Sequence, residues 1–165
     1  MLFRSCLVEL GAGTGPVTAE LMRRSMPDCK VVVVERDPDF CRRLRQRFPD
    51  ADIVQADALD FEKLLRDRGI EEADHVISGL PLPSFPAEDR DRLLHAVGRR
   101  LAKDGTFRQI TAMPWVYRRL YRTYFEEVKF RLVPLNLPPG GVYVCRRMKL
   151  RGGGEVQCNA MNLAG

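Results

Sequence analysis

Two kinds of segment alternate along the first two thirds of the chain. Short, uninterrupted apolar runs are typical of strands buried on both faces of a sheet, and between them lie segments whose apolar residues recur at helical spacing. The predicted strands are residues 7–10, 31–34, 53–54, 75–78 and 106–111. The predicted helices are residues 17–24, 38–48, 61–68 and 88–101. Strands that alternate with helices in this way predict a parallel sheet with helices on both faces.

The last third of the chain has a different pattern. Residues 115–125 predict an aromatic, basic helix, and two extended runs, residues 128–135 and 142–147, flank a turn sequence at residues 136–141. Two extended runs joined by proline and glycine indicate a hairpin. We therefore expect an α/β fold with a doubly wound, mostly parallel, seven-stranded Rossmann-like sheet that ends in an antiparallel C-terminal hairpin.

Length and composition are those of one domain. The chain has 165 residues, of which 45% are hydrophobic, enough for a sizeable core. We expect the domain to cover residues 1–150 and residues 151–165, which have no periodicity, to form a flexible tail. No apolar stretch approaches the roughly 20 residues that cross a bilayer, and residues 1–6 lack the pattern of a secretory signal. A cytoplasmic location is expected.

Cysteine, histidine and charge limit the chemistry further. The five cysteines form no C-x-x-C pair, and neither of the two histidines has a partner at ligand or triad spacing, so we expect no metal site and no nucleophilic catalysis. The formal charge is +5, with many arginines in pairs. This surplus favours an anionic partner, either nucleic acid or a phospholipid surface, and charge alone does not separate the two.

A glycine-rich loop follows the first predicted strand and carries the first chemical prediction. Glycines let a ligand approach bare backbone, and the carboxyl end of a strand is where open α/β sheets bind ligands. A dinucleotide fingerprint would place a third glycine where Pro16 stands, and Glu9 before the loop suits a cofactor with a cationic amino group. Both departures favour S-adenosylmethionine over NAD. The predicted binding residues of this loop are Glu9, Gly11, Ala12, Gly13, Thr14 and Gly15.

Two further acids follow the second and third predicted strands. Glu35, beside Arg36, is placed to bind the hydroxyls of a ribose, and Asp57 is placed to hold an adenine amine, with Ala58 beside the ring. Each acid also has a structural alternative. Glu9 would cap a helix, Glu35 would be a solvated strand end, and Asp57 would only start a turn. Acids at three successive strand ends favour the binding interpretation.

Residues 7–147 resemble the class I S-adenosylmethionine-dependent methyltransferases. Three segments are more narrowly similar to bacterial phospholipid N-methyltransferases, which convert phosphatidylethanolamine towards phosphatidylcholine and are similar to rRNA adenine dimethyltransferases. These segments are Ser78-Gly79-Leu80-Pro81-Leu82-Pro83-Ser84-Phe85-Pro86, Arg108-Gln109-Ile110-Thr111, and Asn136-Leu137-Pro138-Pro139 with Val142-Tyr143-Val144. The resemblance implies a phospholipid substrate and a peripheral position on the inner face of the cell membrane. It also implies an N-terminal helical segment over the cofactor, which we expect to be missing here, with weak cofactor binding as the result.

The loop after the fourth predicted strand indicates the acceptor. In the related adenine enzymes this loop carries Asn or Asp, an apolar residue or proline, proline and an aromatic, whereas here Gly79 takes the polar position and Leu82 the aromatic one. Without the aromatic, base stacking loses its platform, which favours a non-aromatic amine. The predicted catalytic residues are Ser78, Gly79, Leu80 and Pro81, with the Gly79 and Leu80 carbonyls orienting the amine. The structural alternative is that these residues only shape a tight connection after the fourth predicted strand.

Other functions stay open at this point. An RNA adenine N-methyltransferase is compatible with the basic charge, and an inactive, truncated cofactor-binding fragment is compatible with the short N-terminus. No general base and no oligomeric state is indicated. In the predicted helix at residues 115–125, which begins at Trp115, the stripe Tyr117, Leu120, Tyr121 and Tyr124 fits either a membrane interface beside Arg118, Arg119 and Arg122 or packing on the sheet.

Overall fold

The computed structural model describes residues 5–112, 117–133 and 140–149, which form one seven-stranded sheet and the helices around it. The strands are β1 Ser5–Leu10, β2 Cys29–Glu35, β3 Asp52–Gln55, β4 Ala73–Ser78, β5 Leu101–Thr111, β6 Phe125–Val133 and β7 Gly140–Met148. The α-helices are α1 Pro16–Arg24, α2 Pro38–Arg47, α3 Phe61–Arg66, α4 Ala87–Arg100 and α5 Arg118–Tyr124. Two short 3-10 helices, Ala58–Asp60 and Leu82–Ser84, complete the described elements.

The strand order places a crevice beside β1. The order across the sheet is β3-β2-β1-β4-β5-β7-β6, and β1 pairs in parallel with both β2 and β4. The chain therefore builds outward from β1 in one direction and from β4 in the other, which makes the carboxyl ends of β1 and β4 a topological switch point. β7 is antiparallel to both β5 and β6. The predicted fold class is confirmed.

Hydrophobic burial explains the central strands. All four valines of residues 31–34 are buried, because alternate side chains of β2 enter different cores. Val32 and Val34 belong to the larger core under α3, α4 and α5, whereas Val31 and Val33 pack with α2 residues such as Leu44. α2 begins at Pro38 because the side chain of Asp37 accepts hydrogen bonds from the first free backbone N–H groups of the helix.

Some predicted boundaries are wrong. Phe125, predicted to end a helix, begins β6, because its ring is fully buried and stacks on Phe107 at a centroid distance of 5.6 Å. β5, predicted to begin at residue 106, begins at Leu101, where it already pairs with β4, and the register shifts between the Leu101 and Thr106 pairings. Residues 115–116, 134–139 and 151–165, including the predicted tail, lie outside the described residues.

The described part of the chain bears on membrane-spanning helices, metal clusters and thiol reactivity. No helix there is long and apolar enough to cross a membrane. No group of three or more acidic, histidine or cysteine side chains there is arranged to hold a metal ion. The buried Cys6 and Cys145 are free thiols, and burial raises the pKa of Cys6 to about 11 and that of Cys145 to about 12. Both thiols are therefore protonated and unreactive at neutral pH.

Candidate active site

The loop between β1 and α1 depends on glycine. Gly11, Gly13 and Gly15 have positive φ angles of 74°, 55° and 84°, in the left-handed region that other residues rarely adopt. Gly11 is also sterically restricted, because a Cβ atom there would stand 2.6 Å from Cδ2 of Leu80. The absence of a side chain at Gly11 therefore lets the loop after β4 lie directly on the end of β1.

Glu9 lies beneath this loop. Its side chain is only 2% exposed, and its Oε2 accepts a hydrogen bond of 2.7 Å from Oγ1 of Thr18 in α1. Burial, opposed by the Thr18 hydrogen bond and assisted by the nearby Glu35 charge, raises the pKa of Glu9 to about 7. The predicted contact with the cationic group of a cofactor stays a prediction, since Glu9 does not line the cavity described next.

The Glu35 carboxylate joins the glycine loop to the end of β2. Its Oε2 accepts a hydrogen bond from the Gly13 N–H at 2.8 Å. Its Oε1 accepts from the N–H groups of Arg36 at 2.8 Å and Asp37 at 2.9 Å. These bonds fix the carboxylate at the edge of the crevice, so Glu35 is a positioned acceptor and more than a solvated strand end.

A cavity of about 410 Å³, which we call the strand-end cavity, lies at the carboxyl ends of β1, β2 and β3. Seven predicted site residues line it: Gly11, Glu35, Arg36, Asp57, Ala58, Leu80 and Pro81. Six further lining residues were not predicted: Val34, Ala56, Leu59, Phe85, Pro86 and Asp89. The first three adjoin predicted site residues along the chain. The last three reach the cavity only because the loop after β4 folds back over it, which no sequence pattern shows.

Asp57 both starts a turn and lines the strand-end cavity. Its Oδ1 accepts a hydrogen bond of 2.9 Å from the Leu59 N–H and starts the 3-10 helix Ala58–Asp60, as the turn alternative predicts. The residue also lines the strand-end cavity, as the binding prediction requires. Of the remaining predicted residues, Ala12, Gly13, Thr14 and Gly15 are not in the cavity wall.

A larger cavity of about 650 Å³ lies at the other end of the sheet. Its lining includes Leu101, where β5 begins, and Met148, where β7 ends. Ligands of open α/β sheets bind at the carboxyl ends of parallel strands, so position, and not volume, identifies the strand-end cavity as the candidate site.

The loop after β4 is held by several hydrogen bonds. Ser78 is fully buried, and its Oγ accepts from the Leu80 N–H at 3.3 Å. The Leu80 carbonyl oxygen accepts from Nε2 of Gln109 and from the Leu82 N–H, both at 2.8 Å. Both lone pairs of this oxygen are therefore engaged within the protein. Of the two carbonyls predicted to orient an amine, the one that stays a candidate is that of Gly79.

A second cavity of about 270 Å³, which we call the loop cavity, lies between this loop, the end of β5 and the start of α5. Leu80 and Pro81 line both cavities, so the two cavities adjoin at these residues. Gln109 and Tyr121 line only the loop cavity. Gln109 belongs to one of the segments that carry the family resemblance, but it is not among the predicted site residues. Its position two residues after the buried Phe107 in a strand indicates that it points inward.

The aromatic stripe of α5 packs on the sheet. Tyr121 and Tyr124 are buried in the larger core, which confirms the packing alternative for these two residues. Arg118, Arg119 and Arg122 are exposed. Trp115, which was predicted to belong to the same helix, lies outside the described residues.

Known proteins agree with this geometry. The sequence model of the family described as methyltransferase domain matches residues 7–105. An ornithine lipid N-methyltransferase of Singulisphaera acidiphila is 55% identical over 146 residues, which cover 87% of this chain and 76% of that protein.

Solved structures share the fold. Human methyltransferase-like protein 13, in complex with S-adenosylhomocysteine, matches with a TM-score of 0.67 at 18% identity over 87% of this chain and 72% of that one. The N-methyltransferase NodS of Bradyrhizobium japonicum, also in complex with S-adenosylhomocysteine, matches with a TM-score of 0.66 at 17% identity over 87% and 78%.

The sheet order, the glycine loop and the acids at the strand ends define a class I methyltransferase. The chain belongs to the methyltransferase domain family and is an S-adenosylmethionine-dependent N-methyltransferase. The predicted family and cofactor are confirmed.

Proposed function

We propose that the protein transfers a methyl group to the amine of a membrane lipid headgroup, with ornithine lipid as the first candidate substrate. The identity of 55% to an ornithine lipid N-methyltransferase supports the lipid class. Phosphatidylethanolamine, predicted from the sequence resemblance, stays as the second candidate, because its headgroup also carries a primary amine.

The observation that carries this proposal is that the two cavities adjoin. Leu80 and Pro81 line both the strand-end cavity and the loop cavity, so a cofactor in one and an amine in the other would lie side by side at these two residues. Leu82, at the position of the base-stacking aromatic in adenine enzymes, is fully buried in the core. It presents no platform for a nucleobase.

The residues of the strand-end cavity fit S-adenosylmethionine. Glu35 and Asp57 offer carboxylate oxygens to hydroxyl and amine groups, and Val34, Ala58 and Leu59 offer apolar surface to a ring. Gly11 leaves the backbone bare where a Cβ atom would intrude. When bound, this cofactor supplies an electrophilic methyl group on a sulfonium.

Catalysis by this chain is mainly positioning. A neutral amine nitrogen forms the new C–N bond as the C–S bond breaks and its electron pair leaves with the sulfur. The work of the protein is to hold the amine in line and to exclude water. The proton released by the methylated nitrogen passes to solvent.

We place the protein on the inner, cytoplasmic face of the cell membrane. A lipid substrate has to be reached at a bilayer surface, and the exposed arginines of α5 begin beside Tyr117, which lines the loop cavity. Cationic side chains near the surface are attracted to anionic headgroups.

The test is an assay with purified protein, radiolabelled S-adenosylmethionine and three acceptors: vesicles with ornithine lipid, vesicles with phosphatidylethanolamine, and rRNA. Label in the extracted lipid, with none in RNA, supports the proposal, and the ratio of the two lipids ranks the substrates. Label in RNA alone would overturn it. Label in no acceptor, with S-adenosylhomocysteine still bound in calorimetry, would identify a binding fragment without this activity.

A further inference from the structure

Two side chains that line the loop cavity each carry a buried oxygen with no hydrogen-bond partner within the described residues. The two oxygens are Oε1 of Gln109, a side chain that is 2% exposed, and Oη of Tyr121, which is 1% exposed. Buried polar atoms are nearly always paired in folded proteins, so two such atoms on side chains that line one small cavity require an explanation.

The orientation of the Gln109 amide is fixed by its neighbours. Its Nε2 donates to the carbonyl oxygens of Leu80, at 2.8 Å, and Ile110, at 2.9 Å. Only the NH₂ group of an amide can donate to carbonyls, so the rotated amide would place oxygen against oxygen. Oε1 is therefore the atom without a partner, and it is purely an acceptor.

Tyr121 is held by ring packing. Its ring lies 5.0 Å from the ring of Tyr143 and 6.3 Å from that of Phe107, centroid to centroid. Burial raises the pKa of Tyr121 well above its usual value, so the hydroxyl stays neutral and protonated. Oη can accept one hydrogen bond as well as donate one.

The cavity itself is uncharged. None of the described residues that line it is acidic or basic, although the chain as a whole carries many charges of both signs. A carboxylate in this place would stabilise an ammonium ion, which has no lone pair for attack on a methyl group. Neutral acceptor oxygens in a low-dielectric cavity favour the free amine instead.

We propose that the loop cavity is the subsite for the neutral amine of the headgroup, with Gln109 Oε1 and Tyr121 Oη accepting its two N–H groups. The nitrogen lone pair is then left for the methyl group at the junction of the two cavities, which Leu80 and Pro81 line. This inference rests on the proposed function. Each transferred methyl replaces one N–H, so the two residues matter most for the first transfer and least for an amine that already carries two methyl groups.

Tyr121→Phe is the decisive variant, because it removes only an oxygen that has no partner among the described residues. A purely structural role predicts unchanged or higher stability and unchanged activity. We expect the rate on the primary-amine lipid to fall about tenfold, the loss usual for one hydrogen bond to a bound group, with stability retained. The matched control is Tyr124→Phe, in the same helix, whose hydroxyl donates to Asp91 outside the loop cavity.

Gln109→Leu is the second variant, read out by mass spectrometry of the methylated lipids. Initial rates are measured on the primary amine and on its synthetic dimethylated form, with calorimetry of S-adenosylhomocysteine binding as the check on folding. A loss concentrated on the primary amine, with cofactor binding kept, supports the subsite. Equal losses on both lipids, or a Tyr121→Phe enzyme with full activity, would overturn it. If the wild-type protein methylates no amine lipid, the proposed function itself fails.

Discussion

Gly79 lies so close to Gly11 that a Cβ atom on Gly79 would stand 2.9 Å from the Gly11 carbonyl oxygen. The Gly79 N–H also donates to the Leu10 carbonyl at 2.9 Å. These contacts join the ends of β1 and β4 at the switch point, where the strand-end cavity opens. The obstructing atom belongs to the backbone, so a side chain at this position cannot be accommodated by a rotamer change.

Gly79→Ala is therefore expected to separate the two strand ends. We expect the affinity for S-adenosylhomocysteine, measured by calorimetry, to fall about tenfold or more, as for other small displacements of a positioned site. The control is Gly69→Ala, away from the site, where φ is +64° and nothing lies within 4 Å of the added Cβ atom. That change should cost about 1 kcal/mol of stability without changing affinity. Equal affinities in the two variants would contradict this account.

The buried Glu9 predicts a pH dependence of stability. Its pKa is about 7 in the folded protein against 4.5 for an ordinary glutamate, so the folded state holds more protons than the unfolded state between these values. Stability without cofactor should therefore fall as pH rises through this window, by at most about 3 kcal/mol from this group. Below pH 4.5 both states are protonated and the effect vanishes.

Glu9→Gln removes this titration while keeping an oxygen for Thr18. We expect the variant to be more stable than the wild type at pH 8, with the difference shrinking towards pH 5, in thermal unfolding without cofactor. Glu20→Gln is the control, because the Arg23 hydrogen bond lowers the pKa of the exposed Glu20 to about 2, below the window. A wild type as stable as Glu9→Gln at pH 8 would show that Glu9 is not destabilised by burial.

Local sequence patterns predicted the parallel half of the sheet and the strand-end acids, because those features depend on residues that are adjacent in the sequence. The four valines of β2 are apolar in succession since both faces of that strand are covered. The boundary between α5 and β6 was mispredicted because it depends on Phe125 stacking with Phe107, a contact between residues far apart in sequence.

The candidate site likewise has features that the sequence predicted and features that depend on contacts in the folded chain. Glu35 and Asp57 follow predicted strands, and the structure places both in one cavity wall. The burial of Glu9 under the loop depends on its hydrogen bond with Thr18, which lies in the following helix, α1. The role of Gln109 depends on the Leu80 carbonyl, which only the folded loop brings within 2.8 Å.

Glu35 is predicted to be the most sensitive acid of the strand-end cavity. Its carboxylate accepts three backbone N–H groups, whereas a glutamine has a single acceptor oxygen and would oppose its own NH₂ group to a donor. Glu35→Gln should cost about 1–3 kcal/mol of stability and lower S-adenosylhomocysteine affinity about tenfold or more. Chemical denaturation and calorimetry measure the two effects.

Glu62→Gln is a matched control for Glu35→Gln. Glu62 is a partly exposed acid of α3 that pairs with Arg99 at 2.9 Å, away from the strand-end cavity. Loss of this ion pair should lower the free energy of unfolding by at most about 1 kcal/mol and leave the affinity for S-adenosylhomocysteine unchanged. If Glu35→Gln behaves like this control, the carboxylate does not organise the cofactor site.

The exposed arginines of α5 test the membrane location. Arg118, Arg119 and Arg122 lie on the helix whose Tyr121 and Tyr124 are buried, so reversing their charge should leave the core intact. The triple change to glutamate is expected to abolish sedimentation with anionic vesicles, since each basic residue near such a surface contributes about 1 kcal/mol and each reversal adds repulsion. Activity on a detergent-solubilised lipid should be retained.

A second triple variant with the same net charge distinguishes the position of the arginines from the net charge of the protein as the cause of vesicle binding. Arg24, Arg42 and Arg43 are exposed on α1 and α2, which pack with the smaller core on the other side of the sheet from α5. If α5 faces the membrane, changing these three to glutamate should weaken vesicle binding much less than the α5 change. Equal losses would mean that net charge alone drives the association, and unchanged sedimentation of the α5 variant would exclude α5 as the membrane contact.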